Sequence, residues 1–183
     1  MNSGKTTALL QVAHNYEERG MKAIVLKPST DTKGKTKVVS RLGLSRDVDI
    51  LVSPTASIRQ LLKSPSDIAC VLIDEAQFLT RAQIDELFWF ATDKNIPVIA
   101  YGLRTDFQTQ GFPGSTRLLE LAHDLQEIKT ICRCGKKAVF NGRKLDGAFI
   151  SKGNQIAIEG EDAIEYESLC ASCYKKLVQS PQL

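Results

Sequence analysis

The chain has 183 residues, and its net charge of +3 arises from 24 basic and 21 acidic side chains. Apolar residues make up 43% of the chain and charged residues 25%, a balance that argues against a disordered protein. The small basic excess does not suggest a dedicated nucleic-acid binder, but it suits a protein that holds a polyanion at one site. The chain has no apolar run near the roughly 20 residues that span a bilayer and no secretory signal, so we expect a cytoplasmic protein without a membrane partner.

The first motif in the chain is Ser3-Gly4-Lys5-Thr6, the second half of a phosphate-binding Walker A loop, directly before a predicted helix. The glycine lets backbone N–H groups turn toward phosphate oxygens, the lysine can reach the β- and γ-phosphates, and the threonine hydroxyl can ligate Mg²⁺. The helix N-terminus adds a favourable dipole. The alternative interpretation is an ordinary helix start, because Gly-Lys-Thr also occurs by chance.

Up to Thr130 the sequence alternates apolar runs with amphipathic runs. The first helix has one apolar face and should end at Gly20; this face consists of Leu9, Val12, Ala13 and Tyr16. Continuous apolar runs predict buried strands, which are Ala23–Leu26, Ile50–Val52, Ile68–Ile73 and Pro97–Tyr101, with Gln126–Ile131 as the last. Thr80 and Gln83 form a capping box before a helix whose predicted core face is Ile84, Leu87, Phe88 and Ala91. This alternation predicts an α/β fold with a parallel sheet flanked by helices.

Two loops are predicted to be long and irregular, Pro28–Val48 and Gly102–Ser115. Long irregular loops in compact domains are usually functional or disordered. The first loop holds a basic stretch from Lys33 to Arg41, which is either a solvated surface or a segment that closes over a triphosphate.

The strongest strand signal leads into Asp74-Glu75-Ala76-Gln77-Phe78, an apolar strand that ends in two acids and is typical of a Walker B motif. An aspartate at the carboxyl end of such a strand can hold Mg²⁺ directly or through water. The adjacent glutamate should face the other way and can serve as a general base. The alternative is a strand that ends in a solvated acidic turn.

Four of the five cysteines form two close pairs in a glycine-containing region after Thr130: Cys132, Cys134, Cys170 and Cys173. Four thiolates close a tetrahedral Zn²⁺ site with no open position, which predicts a structural metal. The alternative is two unrelated pairs of buried cysteines. Cys70 lies in an apolar run and is expected to be a small core residue, and His14 and His123 are expected to be solvated.

Together these motifs resemble the type II, zinc-containing thymidine kinases, and the resemblance is closest to the bacterial branch. A truncated Walker A loop, Ile-Asp-Glu-Ala-Gln-Phe, Tyr-Gly-Leu-Arg-Thr-Asp-Phe and a late four-cysteine site occur in the same order through nearly the whole chain. The resemblance implies a P-loop, RecA-like kinase domain over residues 1–130 and a zinc-binding lasso domain with a C-terminal tail over 131–183. It also implies a homotetramer that phosphorylates deoxythymidine with ATP and is inhibited by dTTP.

The resemblance also assigns residues to roles. Glu75 is the implied catalytic base. The implied ATP and magnesium set is Met1, Asn2, Ser3, Gly4, Lys5, Thr6, Asp74, Gln77 and Lys33, with Lys33 in place of an arginine that many relatives carry. The side chains implied to enclose the nucleoside are Phe78, Leu103, Phe107 and Tyr166, the last on a flexible lasso loop.

One departure from the family concerns the start of the chain. Relatives begin with a strand and the first Walker A glycine, both of which would lie before Met1. Either the start site is misassigned, which we expect, or the product is impaired.

The implied mechanism is in-line transfer without a covalent intermediate, in which Glu75 deprotonates the 5′-hydroxyl and Lys5 with Mg²⁺ neutralises the moving phosphoryl group. Two other classes stay open at this point. One is a RecA-like ATPase, in which Glu75 would activate water. The other is a zinc-ribbon module that binds nucleic acid; four basic residues favour it, namely Lys136, Lys137, Arg143 and Lys144, but nearby acids oppose it, and we expect no stable nucleic-acid partner.

Overall fold

The computed structural model of the chain describes residues 3–31, 36–156 and 164–179. These residues fall into two compact units. The first unit consists of Gly4–Leu103 and Pro113–Leu125, and the second contains the described residues of Met1–Ser3, Arg104–Phe112 and Gln126–Leu183.

The first unit has a four-stranded parallel sheet with helices on both faces, which confirms the predicted fold class. Its helices are α1 (Lys5–Glu17), α2 (Ile58–Leu61), α3 (Arg81–Lys94) and α4 (Pro113–Leu121), with 3-10 turns at Pro65–Asp67 and Ala76–Phe78. Its strands are β1 (Lys22–Pro28), β2 (Lys37–Val39), β3 (Ser45–Asp47), β4 (Ile50–Val52), β5 (Ile68–Ile73) and β6 (Val98–Ala100). The order across the parallel sheet is β4-β1-β5-β6.

The two central strands alternate their side chains between two apolar layers. On one face, Val25 and Leu72 pack with Leu9 and Ala13 of α1. On the other face, their neighbours in sequence pack against α2 and α3; this layer includes Ile24, Leu26, Val71, Ile73, Ile58, Ile84 and Leu87. Because both faces are covered, β1 and β5 are apolar at nearly every position, which is why these runs were readable in the sequence. Cys70 is fully buried in the first layer, as predicted.

The capping box predicted at the start of α3 is present. The Thr80 side chain accepts a hydrogen bond from the Gln83 backbone N–H, and the Gln83 side chain accepts one from the Thr80 N–H. Gln83 can be buried without an unsatisfied polar group, because its amide nitrogen also donates to the Ser53 and Ala56 carbonyls at 2.8 and 3.0 Å. The predicted core face needs correction: Phe90 is buried, whereas Phe88 and Ala91 are only partly buried.

The segment predicted as an irregular loop, Pro28–Val48, contains an antiparallel hairpin. Strands β2 and β3 pair with Val38 opposite Arg46, and Val38 is buried while Arg46 is partly exposed. Each strand has only three residues, which is too short for a hydrophobic period to stand out in the sequence. His14 and His123 are exposed, as predicted.

The second unit is built on an antiparallel sheet of order β8-β7-β9. Its elements are β7 (Phe140–Leu145), β8 (Ala148–Ile150), β9 (Ile164–Leu169), α5 (Ala171–Tyr174) and a π-helical turn, Lys175–Gln179. The strand predicted at Gln126–Ile131 is absent: residues 126–130 have no regular structure, and Ile131 makes only an isolated bridge to Lys137. Ile131 is exposed, so its apolar character does not reflect a buried strand.

No helix in the described ranges combines the length and the apolar character that crossing a membrane requires.

Candidate functional site

The N-terminus of α1 has the backbone of a phosphate-binding turn. Gly4 is left-handed at φ 80° and accepts a hydrogen bond from the Ala8 N–H at 2.9 Å. A Cβ at Gly4 would meet no atom of the described residues within 4 Å, so glycine is needed for the backbone conformation and not for space. Among the described residues, no side chain caps this helix and no acid lies in its first turn, which contains Lys5 and Thr6. Its free N–H groups therefore suit an anion. Ser3 lies in a bend just before it.

Asp74 follows directly on β5 and is 5% exposed. Its backbone N–H donates to the Leu26 carbonyl at 3.0 Å, which fixes the residue at the carboxyl edge of the sheet. Its Oδ1 has no hydrogen-bond partner among the described residues. Burial and the neighbouring Glu75 charge raise the pKa of Asp74 to about 7, while the Lys5 ammonium acts in the opposite direction. The structure therefore brings Lys5, Asp74 and Glu75 together, and the orphaned carboxylate oxygen fits a hard cation such as Mg²⁺.

Glu75 has a left-handed backbone at φ 49°, which is uncommon for a residue with a side chain. Its carboxylate accepts a hydrogen bond from Gln77 Nε2 at 2.5 Å through Oε2, and its other oxygen has no partner among the described residues. Gln77 is 1% exposed, and its amide oxygen accepts from the Leu103 N–H at 3.0 Å. Gln77 thus ties Glu75 to the loop that follows β6, and both ends of its amide are engaged within the protein.

Lys27, at the end of β1, is a buried cation that sequence reasoning missed. Its Nζ lies 3.0 Å from Asp31 Oδ2 and 3.5 Å from the Lys37 carbonyl, and only 2% of the side chain is exposed. Its charge also acts to lower the pKa of Asp74. The run Lys27-Pro28 looked like the polar end of a strand, and only the fold shows that the ammonium is buried beside Asp31 and the Lys37 carbonyl.

The first unit also contains Phe78 and Leu103. Phe78 closes the 3-10 turn after Glu75 and is partly buried. The Leu103 carbonyl accepts a hydrogen bond from Ser115 Oγ at 2.6 Å. A Cβ at Gly102 would lie 2.9 Å from Gln77 Oε1, so the loop approaches Gln77 as closely as glycine allows.

The second unit brings Phe107 and Tyr166 to the same side chain, Arg143. The Arg143 guanidinium carbon lies 3.8 Å from the Phe107 ring centroid and 5.2 Å from that of Tyr166. Phe107 is 1% exposed, so its ring is covered in this structure. Tyr166 lies on strand β9, opposite Arg143 on β7, which corrects its predicted placement on a flexible loop.

The four paired cysteines converge. The sulfur atoms of Cys132, Cys134, Cys170 and Cys173 all lie within 4.8 Å of one another, an arrangement that could hold a metal ion. The first pair lies on a tight turn in which the Gly135 N–H donates to the Cys132 carbonyl at 2.8 Å. Burial raises the pKa of the Cys132 thiol, but hydrogen bonds from the Cys134 and Cys170 backbone outweigh it and lower the value to about 6. Four sulfur donors with one readily formed thiolate fit Zn²⁺.

The basic residues that favoured a nucleic-acid module do not form an open patch. Arg143 is buried, Lys144 lies 2.9 Å from Glu167, and Lys137 pairs with Glu127. Most of this positive charge is therefore balanced or enclosed within the second unit.

Three residues of the predicted ATP and magnesium set, Met1, Asn2 and Lys33, lie outside the described residues.

Comparison with known proteins gives one family throughout. The family model described as "Thymidine kinase" matches residues 1–174. A curated thymidine kinase of Enterobacteria phage T4 is 44% identical over 98% of this chain and 93% of its own length. The thymidine kinase of Idiomarina loihiensis is 46% identical over 96% of this chain and 92% of its own length. That of Coxiella burnetii is 44% identical over 96% of this chain and 91% of its own length.

Proposed function

We propose, from the premise that this chain belongs to the thymidine kinase family, that it transfers the γ-phosphoryl group of ATP to the 5′-hydroxyl of deoxythymidine. The products would be dTMP and ADP, which places the enzyme in deoxynucleoside salvage. The observation that carries the proposal is the meeting of Lys5, Asp74 and Glu75 at the carboxyl edge of the parallel sheet. A cation, a buried carboxylate and an adjacent proton acceptor are the groups that phosphoryl transfer needs.

Each of these three residues has a separate role in the proposal. The α1 N-terminus and Lys5 hold the triphosphate, and Asp74 would hold Mg²⁺, which would supply positive charge that offsets the charge of the phosphates. Glu75 accepts the proton of the 5′-hydroxyl through the carboxylate oxygen that Gln77 leaves open. Gln77 therefore orients the base through this hydrogen bond, and it is also kept in the proposed ATP and magnesium set.

The remaining residues are proposed on the family resemblance. The phosphate-binding set keeps Met1, Asn2, Ser3, Gly4, Thr6 and Lys33. Phe78 and Leu103 of the first unit, and Phe107 and Tyr166 of the second, are kept as nucleoside residues. The four cysteines would hold a closed, structural Zn²⁺. The functional division at residues 130 and 131, the homotetramer, inhibition by dTTP and a cytoplasmic location are parts of the same proposal.

The experiment is a product assay with γ-labelled ATP and magnesium in three parallel reactions. One contains deoxythymidine, one contains adenosine and one contains no nucleoside. We expect label in dTMP with deoxythymidine and little turnover in the other two reactions. A RecA-like ATPase would instead release labelled phosphate without nucleoside, at a rate that DNA increases. Release of phosphate to water at an equal rate with and without deoxythymidine would overturn the proposal.

A further inference from the structure

Arg143 is a buried arginine in the middle of β7, with 3% of its surface exposed. All three guanidinium nitrogens donate hydrogen bonds. Nε donates to the Tyr166 hydroxyl at 2.8 Å, Nη1 to the Asn154 carbonyl at 2.6 Å and Nη2 to the Gln155 carbonyl at 2.9 Å. The planar fork therefore holds a strand residue and a loop backbone at the same time.

The guanidinium has no carboxylate partner within the described ranges. Its compensation comes from two carbonyls, a phenol and the ring of Phe107, whose centroid is 3.8 Å from the guanidinium carbon. Burying a charge in this way is expensive, and replacing buried ionic groups with apolar ones is often neutral or stabilising. Fold stability alone is therefore a weak reason for an arginine here, which points to a role in placing its neighbours.

The groups that Arg143 holds are also tied to each other. Gln155 Nε2 donates to Asp106 Oδ2 at 3.0 Å, and Gln108 Nε2 donates to the Gly153 carbonyl at 3.1 Å. Asp106 is buried, and its other oxygen accepts the backbone N–H groups of Gln108 and Gln110, each at 2.8 Å. Residues 106–108 and 153–155 therefore form one hydrogen-bonded cluster around Arg143.

The contact with Tyr166 fixes the direction of its hydroxyl group. Because Arg143 Nε–H donates to the phenol oxygen, the hydroxyl hydrogen must point away from Arg143 and can donate only to another acceptor. Lysine could not reproduce this arrangement, since its ammonium is a compact charge without a planar face or a fork.

We propose that Arg143 is a positioning residue for nucleoside binding: it sets the places of the Phe107 and Tyr166 rings and the donor direction of the Tyr166 hydroxyl. The inference rests on the proposed function, in which these two side chains contact the nucleoside. It predicts that loss of the fork weakens nucleoside binding and leaves phosphate chemistry, in the first unit, unchanged.

The test is steady-state kinetics of Arg143→Lys, with both substrates varied. We expect KM for deoxythymidine to rise about 10-fold or more, while kcat and KM for ATP change by less than about 2-fold, the pattern of lost ground-state binding. The matched control is Arg81→Lys, an exposed arginine that pairs with Glu120 on the first unit and should behave like wild type. An unchanged KM for deoxythymidine, or a fall in kcat with no change in that KM, would overturn the proposal.

A second variant covers the case in which Arg143→Lys folds poorly. Tyr166→Phe removes only the hydroxyl, and by itself it should raise the KM for deoxythymidine while kcat and KM for ATP change by less than about 2-fold. An unchanged KM for deoxythymidine in this variant would overturn the proposal. Where Arg143→Lys does fold, the two effects should not multiply in the double variant, and multiplying effects would show that the two residues act separately, against the proposal.

A third readout needs no activity and so separates this inference from the proposed function. Lys152 is exposed and precedes the tied residues 153–155, so trypsin cleavage after Lys152 reports their opening. We expect faster cleavage in Arg143→Lys than in wild type or Arg81→Lys. Faster cleavage with no deoxythymidine turnover in any variant would support the positioning role of Arg143 but refute the proposed function. Equal cleavage rates would refute the positioning role.

Discussion

At the scale of single residues, the site depends on a carboxylate placed where its charge is unfavourable. Asp74 is buried, has one oxygen without a partner among the described residues, and lies beside the charge of Glu75. Polar groups that the fold leaves unsatisfied are often those that bind ligands. The ionised carboxylate of Asp74 therefore lowers the stability of the fold, but its position allows it to bind a cation.

This cost predicts the effect of Asp74→Asn on stability. Folding raises the pKa of Asp74 from 3.8 to about 7, so the folded protein favours the neutral, protonated carboxyl group. The stability that this protonated form contributes is fully present below pH 3.8 and is lost as the pH rises through 7, where Asp74 becomes ionised and destabilises the fold. In magnesium-free buffer at pH 8, we expect the free energy of unfolding of Asp74→Asn to exceed that of wild type by up to about 4 kcal/mol, because the pKa rises by about 3 units at about 1.4 kcal/mol each. Kinase activity should be lost in the same variant. Urea unfolding at several pH values measures this difference.

The difference should shrink as the pH falls from 8 toward 4, because wild-type Asp74 then becomes neutral. Asp93→Asn, an exposed carboxyl on α3, is the control and should change stability little at any pH. A stability difference for Asp74→Asn that stays constant across this range would contradict the assigned pKa.

The sequence predicted Lys5, Asp74 and Glu75 because their motifs are local: each is defined by neighbours within four residues and by an adjacent strand or helix. Lys27 and Arg143 were not found, because a buried cation is recognisable only through partners that are distant in sequence. The Tyr166 partner of Arg143 is 23 residues away, and basic residues are normally solvated. Arg143 was accordingly grouped with surface lysines.

At the scale of elements, long apolar strands were predictable and short ones were not. β1 and β5 are buried on both faces, so their composition alone marks them. The three-residue strands of the β2–β3 hairpin carry no such pattern, and Gln126–Ile131 showed an apolar character that the structure leaves exposed. On α3, Phe88 and Phe90 differ in burial although both are apolar, because the sequence cannot fix the rotation of the helix to that precision.

The cysteine cluster gives a prediction at this scale, since it joins the turn before β7 to the end of β9 and α5. Cys170 lies at the N-terminus of α5, and its sulfur is 3.6 Å from that of Cys134. Cys170→Ser should remove a zinc ligand, so that the zinc content falls from about one per chain and the second unit becomes easier to unfold. Elemental analysis and protease sensitivity measure the two effects.

Cys70→Ala is the matched control, because Cys70 is buried in the first unit and lies outside the cluster. It should keep one zinc per chain. Full zinc content in Cys170→Ser would contradict the four-sulfur site.

At the scale of the whole molecule, the family assignment extends beyond any single motif. The family model covers residues 1–174, so it includes both the parallel-sheet unit and the cysteine-containing unit. The motifs alone indicated the same family, because the order of four motifs is far more specific than any one of them. The division of the chain into compact units was less predictable, since Arg104–Phe112 clusters with residues that follow Gln126 rather than with its neighbours in sequence.

The central claim is that Glu75 takes the proton from the nucleoside hydroxyl while other groups hold ATP. Glu75→Gln tests it most directly, because it keeps the size of the side chain and removes its basicity; Glu18→Gln, an exposed change at the end of α1, is the control. We predict that kcat for dTMP formation falls at least about 100-fold in Glu75→Gln while Kd for ATP stays within about 2-fold of wild type. A kcat close to that of wild type would contradict the account.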